Sequence, residues 1–158
     1  MTKPDRFDTN AQVPLFRFLT YRILRVHSKL NAQAIRILGK HTNLTLSHWR
    51  VVAMIGAQGE TSLSEISRLS EMDKGQVSRS LKALTQQGMI LAQTHESDHR
   101  QQRLSLSPKG QAAFEDNLPR MRRRQRYLMS QLEPEELAAL YSALEKLELA
   151  ATWEGDTL

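Results

Sequence analysis

A chain of 158 residues is the size of one domain, or of a small domain with helical extensions, and is long enough to fold without metal or disulfide staples. Apolar residues at 40%, charged residues at 25%, 7 Gly and 5 Pro exclude low complexity, and the absence of cysteine excludes disulfides, thiolate metal sites and thiol chemistry. The net charge of +5 points toward polyanionic partners, while the lack of any apolar run near about 18 residues and a start without a signal-peptide core imply a cytoplasmic chain with no membrane partner.

Phe16, Leu19, Ile23, Val26, Leu30 and Ile37 share one helical stripe, with Arg22, Arg25, Lys29 and Arg36 off it, which predicts a long amphipathic helix over 13–39 ending near Gly39. "NLTLSHWRVVAMIGAQG" predicts a turn and a shorter helix stopping at Gly56 to Gly59. "TSLSEISRLSEMD" predicts a third helix, capped by Ser62 or Ser64. In "DKGQVSRSLKALTQQG", Asp73 is a good N-cap, Val77, Leu81 and Leu84 form a buried stripe, and Gly88 ends the helix. Its other face carries Gly75, Ser78, Arg79 and Lys82 and no carboxylate.

After Gly88 the apolar period changes. "MILAQTH" and "RLSLS" read as two strands joined by the polar "ESDHRQQ", a β-hairpin with a long charged tip. Ser107 and Pro108 then start a helix running to about Ser130, in which Pro119 should introduce a kink. A last helix begins at Pro134 with acidic residues in its first turn, and Leu137, Leu140, Leu144, Leu147 and Ala151 continue an apolar stripe. The fold class is therefore mainly α with a small β-hairpin.

His95-Glu96-Ser97-Asp98-His99 spells HExxH, which in zinc hydrolases needs helical context so that both imidazoles meet one ion. Here the letters fall between two strands, in a turn-forming stretch. A zinc-dependent hydrolase through His95, Glu96 and His99 is kept only as the alternative reading, no metal or cofactor is expected, and five scattered histidines argue against zinc sensing.

The order helix, helix, helix, hairpin is that of a winged helix-turn-helix. The pair 62–70 and 73–87 would place its second helix in a DNA major groove, and the hairpin would reach an adjacent groove. Lys74, Gln76, Ser78, Arg79 and Lys82 suit that role: Arg pairs two-pronged with guanine, Gln with adenine, and Ser and Lys meet phosphates. At the tip, Asp98 could orient Arg100 into a minor groove, with His99 between them. A solvated charge cluster is the competing reading.

"LTLSHWRVV", "SLSEISRLSEMDKGQVSRSLKALTQQGMI", the Asp98-x-Arg100 signature followed by "RLSLSPKG", and "LEPEELAALYSALEKL", in this order and spacing, resemble the multiple-antibiotic-resistance regulator (MarR) family of bacterial transcription factors over about residues 13–151. The resemblance implies a winged helix-turn-helix domain over 40–110, flanked by a dimerisation helix at 13–39 and C-terminal dimerisation helices at 108–151, with tails at 1–12 and 152–158. It also implies that Lys74, Gln76, Ser78, Arg79 and Lys82 read the major groove and that Asp98 and Arg100 form the wing signature. Gly75 departs from the family, which commonly has a side chain there. The apolar stripes of the first and last helices would be buried in a homodimer, giving a twofold axis and a pseudo-palindromic operator.

Such a family also implies a repressor that releases DNA when a small molecule, often an aromatic acid, binds between the dimer helices and the winged domain. Arg17, Tyr21, Arg25, His48 and Trp49 are candidates for that effector site. Against this stand the plainer readings of Trp49 as core and of the arginines as a solvated helix face. Arg120, Arg122, Arg123, Arg124 and Arg126 read as a solvated surface partly paired with Glu133, Glu135 and Glu136, with phosphate contact as the alternative.

Overall fold

Local capping chemistry sets most element boundaries. In the computed structural model, which describes residues 14–70, 72–94 and 102–152, a 3-10 turn over Leu15–Arg17 precedes α1 (Leu19–His41). The single helix expected over 13–39 is thus broken at Phe18, whose backbone is extended (φ −57°, ψ 140°). Gly39 is not the cap: α1 continues through it, and Thr42, extended at φ −155°, closes the helix with its N–H on the Leu38 carbonyl.

In α2 (Leu46–Gln58), the Thr45 hydroxyl accepts from the His48 N–H, and Gly59 ends the helix in the left-handed region at φ 82°, where a side chain would be strained. Gly56, expected among the stop residues, lies inside α2 instead, because a Cβ there would fall 2.6 Å from the Phe114 ring. That ring also stacks on Trp49, with centroids 6.3 Å apart. Ser62 caps α3 (Leu63–Ser70), accepting from the Glu65 N–H at 3.2 Å. Asp73 caps α4 (Lys74–Gln86), accepting from the Gln76 N–H at 3.0 Å, and Gly88 follows its end at φ 71°.

The hairpin is present as β2 (Ile90–Thr94) and β3 (Gln102–Leu106), paired antiparallel with Ile90 opposite Leu106 and Ala92 opposite Leu104. A further two-residue strand, β1 (Glu60–Thr61), lines the other edge of β3 with Thr61 opposite Leu104, so the sheet order is β1-β3-β2. An exposed ion pair between Arg103 and Glu60 at 3.0 Å adds little to that edge. Leu38, Val51, Val52, Ile55, Ile66, Val77 and Leu84 are wholly buried, so the core gathers the end of α1 with α2, α3 and α4.

α5 (Pro108–Met129) starts as Ser107 accepts from the Gly110 N–H, and it continues unbroken through Pro119. The chain divides into two compact units, up to Glu115 and from Asp116 on. Proline at 119 has no N–H to give the carbonyl four residues back, at Glu115, where that division falls. In the second unit the rest of α5 is followed by α6 (Pro134–Ala151), whose first turn is closed by the Glu133 N–H donating to the Glu136 carboxylate at 3.0 Å.

Gly110 is a required glycine, since a Cβ there would fall on the Met89 carbonyl oxygen, a backbone atom with little room to yield. Gly110→Ala is expected to destabilise the protein by about 1–3 kcal/mol or more, the usual cost of overpacking. An unchanged midpoint in urea unfolding would mean that the start of α5 shifts freely.

A candidate nucleic-acid interface

α4 presents Lys74, Ser78, Arg79 and Lys82 as exposed side chains, at the spacing that one helix face requires, while Val77, Ser80, Leu81 and Leu84 are buried beneath. The helix contains three cations and no carboxylate, and the neighbouring Asp73 carboxylate is engaged in its cap. Beside this face lies an open cleft of about 760 Å³ between α3, α4 and the strands β2 and β3. Two ammonium groups (Lys74, Lys82) and four hydroxyls (Ser62, Ser64, Ser78, Thr85) line it, without a carboxylate among its described lining residues. Such a lining donates hydrogen bonds and positive charge, which is what a phosphate backbone accepts.

Gly75 has a local reason. A Cβ there would stand 2.9 Å from the capping oxygen of Asp73 and 3.3 Å from Nη1 of Arg79. The missing side chain keeps the cap intact and leaves the guanidinium its space. Gln76 behaves differently from its neighbours: it is half-buried and its Nε2 donates to the Ser47 hydroxyl of α2 at 3.0 Å. Asp98, His99 and Arg100, and with them the His95–His99 pattern, lie outside the described residues. The cleft hydroxyls Ser62, Ser64 and Thr85 went unread as site residues, because Ser62 and Ser64 look like caps and Thr85 carries no signal of its own.

The effector candidates do not form one cluster. Trp49 is enclosed in the core against Phe114, at 6% exposure. Arg17, Tyr21 and Arg25 are exposed on the 3-10 turn and α1, and Arg25 shares a shallow concavity of about 120 Å³ with Arg22, Val26 and Lys29. His48 is half-buried, its Nδ1 has no hydrogen-bond partner, and burial lowers its pKa below the ordinary 6.5. A polar chain elsewhere joins α1 to α2: the Asn31 amide donates to the His27 ring at 3.0 Å, and its oxygen accepts from Arg50 at 3.0 Å.

One pairing of the α5 basic cluster lies within the helix itself. Arg120 meets Asp116 at 2.8 Å, one turn back, and Glu136 is engaged in the cap of α6. Among the described residues no ion pair joins Arg122, Arg123 or Arg126 to Glu133, Glu135 or Glu136. No group of three or more potential metal ligands exists among the described residues either.

A helix-turn-helix pair, an adjoining antiparallel hairpin and a cationic second helix define a winged-helix DNA-binding protein. Residues 42–101 match the model of the MarR family. The HTH-type transcriptional regulator BilQ of Clostridium symbiosum is 32% identical over 96 residues, covering 61% of this chain and 67% of that one. Further HTH-type regulators of Staphylococcus aureus match at 34% identity over about half of each chain, 50% of this one and 53% of theirs. The fold is shared with the S. aureus MepR–DNA complex (TM-score 0.77, 20% identity, 85% of this chain and 99% of that one). It is shared equally with Bordetella bronchiseptica BpsR, a structure describing regulation of its DNA binding by 6-hydroxynicotinic acid (TM-score 0.77, 19% identity, 86% and 96%). The chain belongs to the MarR family: it is a DNA-binding transcriptional regulator and not an enzyme. The hydrolase reading of His95, Glu96 and His99 falls with that membership.

The His48 shift has a sign that can be tested. With the folded pKa below 6.5, the unfolded chain takes up a proton first as pH falls, so the contribution of His48 is full above about pH 6.5 and is lost below it. His48→Gln should therefore lose less melting temperature than the wild type between pH 7.5 and 5.5. Equal losses would remove His48 from the acid response.

Proposed function

We propose that the protein is a cytoplasmic homodimeric repressor that binds a pseudo-palindromic operator and leaves it when a small aromatic acid binds. The observation that carries the DNA half of this reading is the carboxylate-free cationic face of α4 bordering the hydroxyl-lined cleft. Arg79 is the candidate for two-pronged pairing with guanine, while Lys74, Ser78 and Lys82 meet phosphates. In the segment joining β2 and β3, Arg100 enters the minor groove, Asp98 orients its guanidinium and His99 accompanies it.

Dimerisation is supported by the apolar surface left on the end helices. Leu15, Phe16, Leu19, Leu24 and Val26 are each more than half exposed, and Leu140, Tyr141, Leu144 and Leu149 are exposed on α6. A monomer rarely keeps so much apolar area in water, and a twofold axis would bury it. Two α4 helices related by that axis read half-sites about 10 bp apart. Among the described residues no helix is long and apolar enough to cross a membrane. For the effector, Arg17, Tyr21 and Arg25 offer exposed cations and a phenol to a carboxylate, and the acid regulating BpsR is of the same chemical class.

Fluorescence anisotropy with DNA from upstream of the protein's own gene tests the reading. Arg79→Ala and Arg100→Ala should each weaken specific binding by about 1–3 kcal/mol, whereas Lys82→Ala should weaken all sequences alike and reduce the salt slope by about one. Undiminished affinity in both arginine variants would sink the assignment of the interface. Leu24→Glu combined with Val26→Glu should convert dimer to monomer in analytical ultracentrifugation, and a persistent dimer would place the contact elsewhere. A panel of aromatic acids that never releases the DNA would reject the effector.

A further inference from the structure

Gln76 stands three residues after the Asp73 cap, the spacing at which a glutamine side chain turns back onto the cap's own N–H to complete a capping box. Only half of that arrangement forms. Asp73 accepts from the Gln76 N–H, but the Gln76 amide leaves its own helix and donates to the Ser47 hydroxyl, 29 residues earlier in α2, at 3.0 Å. The side chain is half-buried, and so is Ser47. Reading adenine two-pronged requires the oxygen and the nitrogen of one amide to face the base edge together. An amide whose nitrogen is held by α2 is not free to take that pose.

We propose that Gln76 is a positioning residue, and that with Ser47 it forms a joint that sets the pose of the recognition helix on α2. Asp73 and Gly88 define where α4 begins and ends along its own axis. The Gln76–Ser47 bond is the polar contact that orients the first turn of α4, which carries Lys74, against the helix beneath it. Ser47 itself sits in the first turn of α2, next to His48, whose N–H is held by the Thr45 cap, so the accepting hydroxyl stands on an ordered turn. The inference rests on the proposal that α4 reads DNA, and it removes Gln76 from the base-reading set while retaining its importance for affinity.

The test is a double-mutant cycle with Ser47→Ala, Gln76→Ala and the pair, each titrated against the operator and a set carrying single base-pair changes. A joint predicts that each single variant loses about twofold to tenfold in affinity, the range of one hydrogen bond, by the same factor on every operator, and that the pair is no weaker than either. Ser47→Thr, which keeps the hydroxyl, should restore binding. A relaxed preference at one base pair in Gln76→Ala, with Ser47→Ala neutral, would overturn the proposal in favour of base reading. Losses that add would overturn it too, since each residue would then act on its own account. The same cycle followed by thermal unfolding of the DNA-free protein should be non-additive. That arm decides the joint even if the wild type binds no DNA, an outcome that would reject the DNA reading instead.

Discussion

Ser107 is the point on which the winged unit turns. Its hydroxyl donates to the Gly88 carbonyl at 2.7 Å and accepts from the Gly110 N–H, while its own N–H donates to the Met89 carbonyl at 3.0 Å. One buried residue thus joins the end of the recognition helix, the base of both hairpin strands and the start of α5. Gly110 presses on the Met89 backbone and Lys109 donates to the Gln87 carbonyl at 2.7 Å, so the carbonyls of the three residues that follow α4, 87–89, are all held from one segment. A wing and a recognition helix must keep a fixed separation to enter neighbouring grooves, and this knot shortens the lever between them to a few residues.

α2 supplies the opposing surface. Val51, Val52 and Ile55 are completely buried, and Trp49 and Gly56 receive the Phe114 ring from α5. Apolar packing of this kind fixes distance well but tolerates some sliding, because dispersion is not directional. The polar contacts of α2 add direction: Arg50 reaches Asn31 on α1, and Ser47 receives Gln76 from α4. α2 is thereby linked by side-chain hydrogen bonds to a helix with an exposed apolar face and to the helix with the cationic one. His48, whose buried Nδ1 has no hydrogen-bond partner, lies between those two links in sequence, which places a titratable group within the stretch that carries both.

Much of the architecture is legible in the sequence because its boundaries are written in local chemistry. Ser62, Asp73 and Pro108 each act within three or four residues of themselves, as Ser107 does in capping α5, so this effect can be read without knowing the fold. The exposed set Lys74, Ser78, Arg79 and Lys82 follows equally from helical period. What escapes is whatever depends on a distant partner. β1 is two residues long and exists only because β3 runs beside it, so no alternation announces it. Gly56 reads as a helix stop until Phe114 is seen lying against it, and Gly39 reads as a cap although α1 needs no left-handed residue there. Gln76 is the clearest case, since its residue type and spacing suit both a capping box and a base contact, and only the fold shows that its amide donates to Ser47 of α2.

Net charge alone does not single out the cationic face of α4; the distribution of carboxylates does. The chain holds 17 acidic residues, yet none falls within α4, and the nearest in front of it, Asp73, is engaged as the cap at the helix N-terminus, where the backbone dipole favours an anion. Gly75 is part of the same solution. A glycine in a helix costs about 0.5–1 kcal/mol relative to alanine, a cost that nothing in the helix itself requires. At position 75 a side chain would crowd both the capping carboxylate and the Arg79 guanidinium. Dislodging the carboxylate would free an anion next in sequence to Lys74, and displacing the guanidinium would move the one arginine of α4. The family's more usual side chain at this position could make one contact of its own. The glycine gives up that contact and leaves both the capping carboxylate and the Arg79 guanidinium undisturbed.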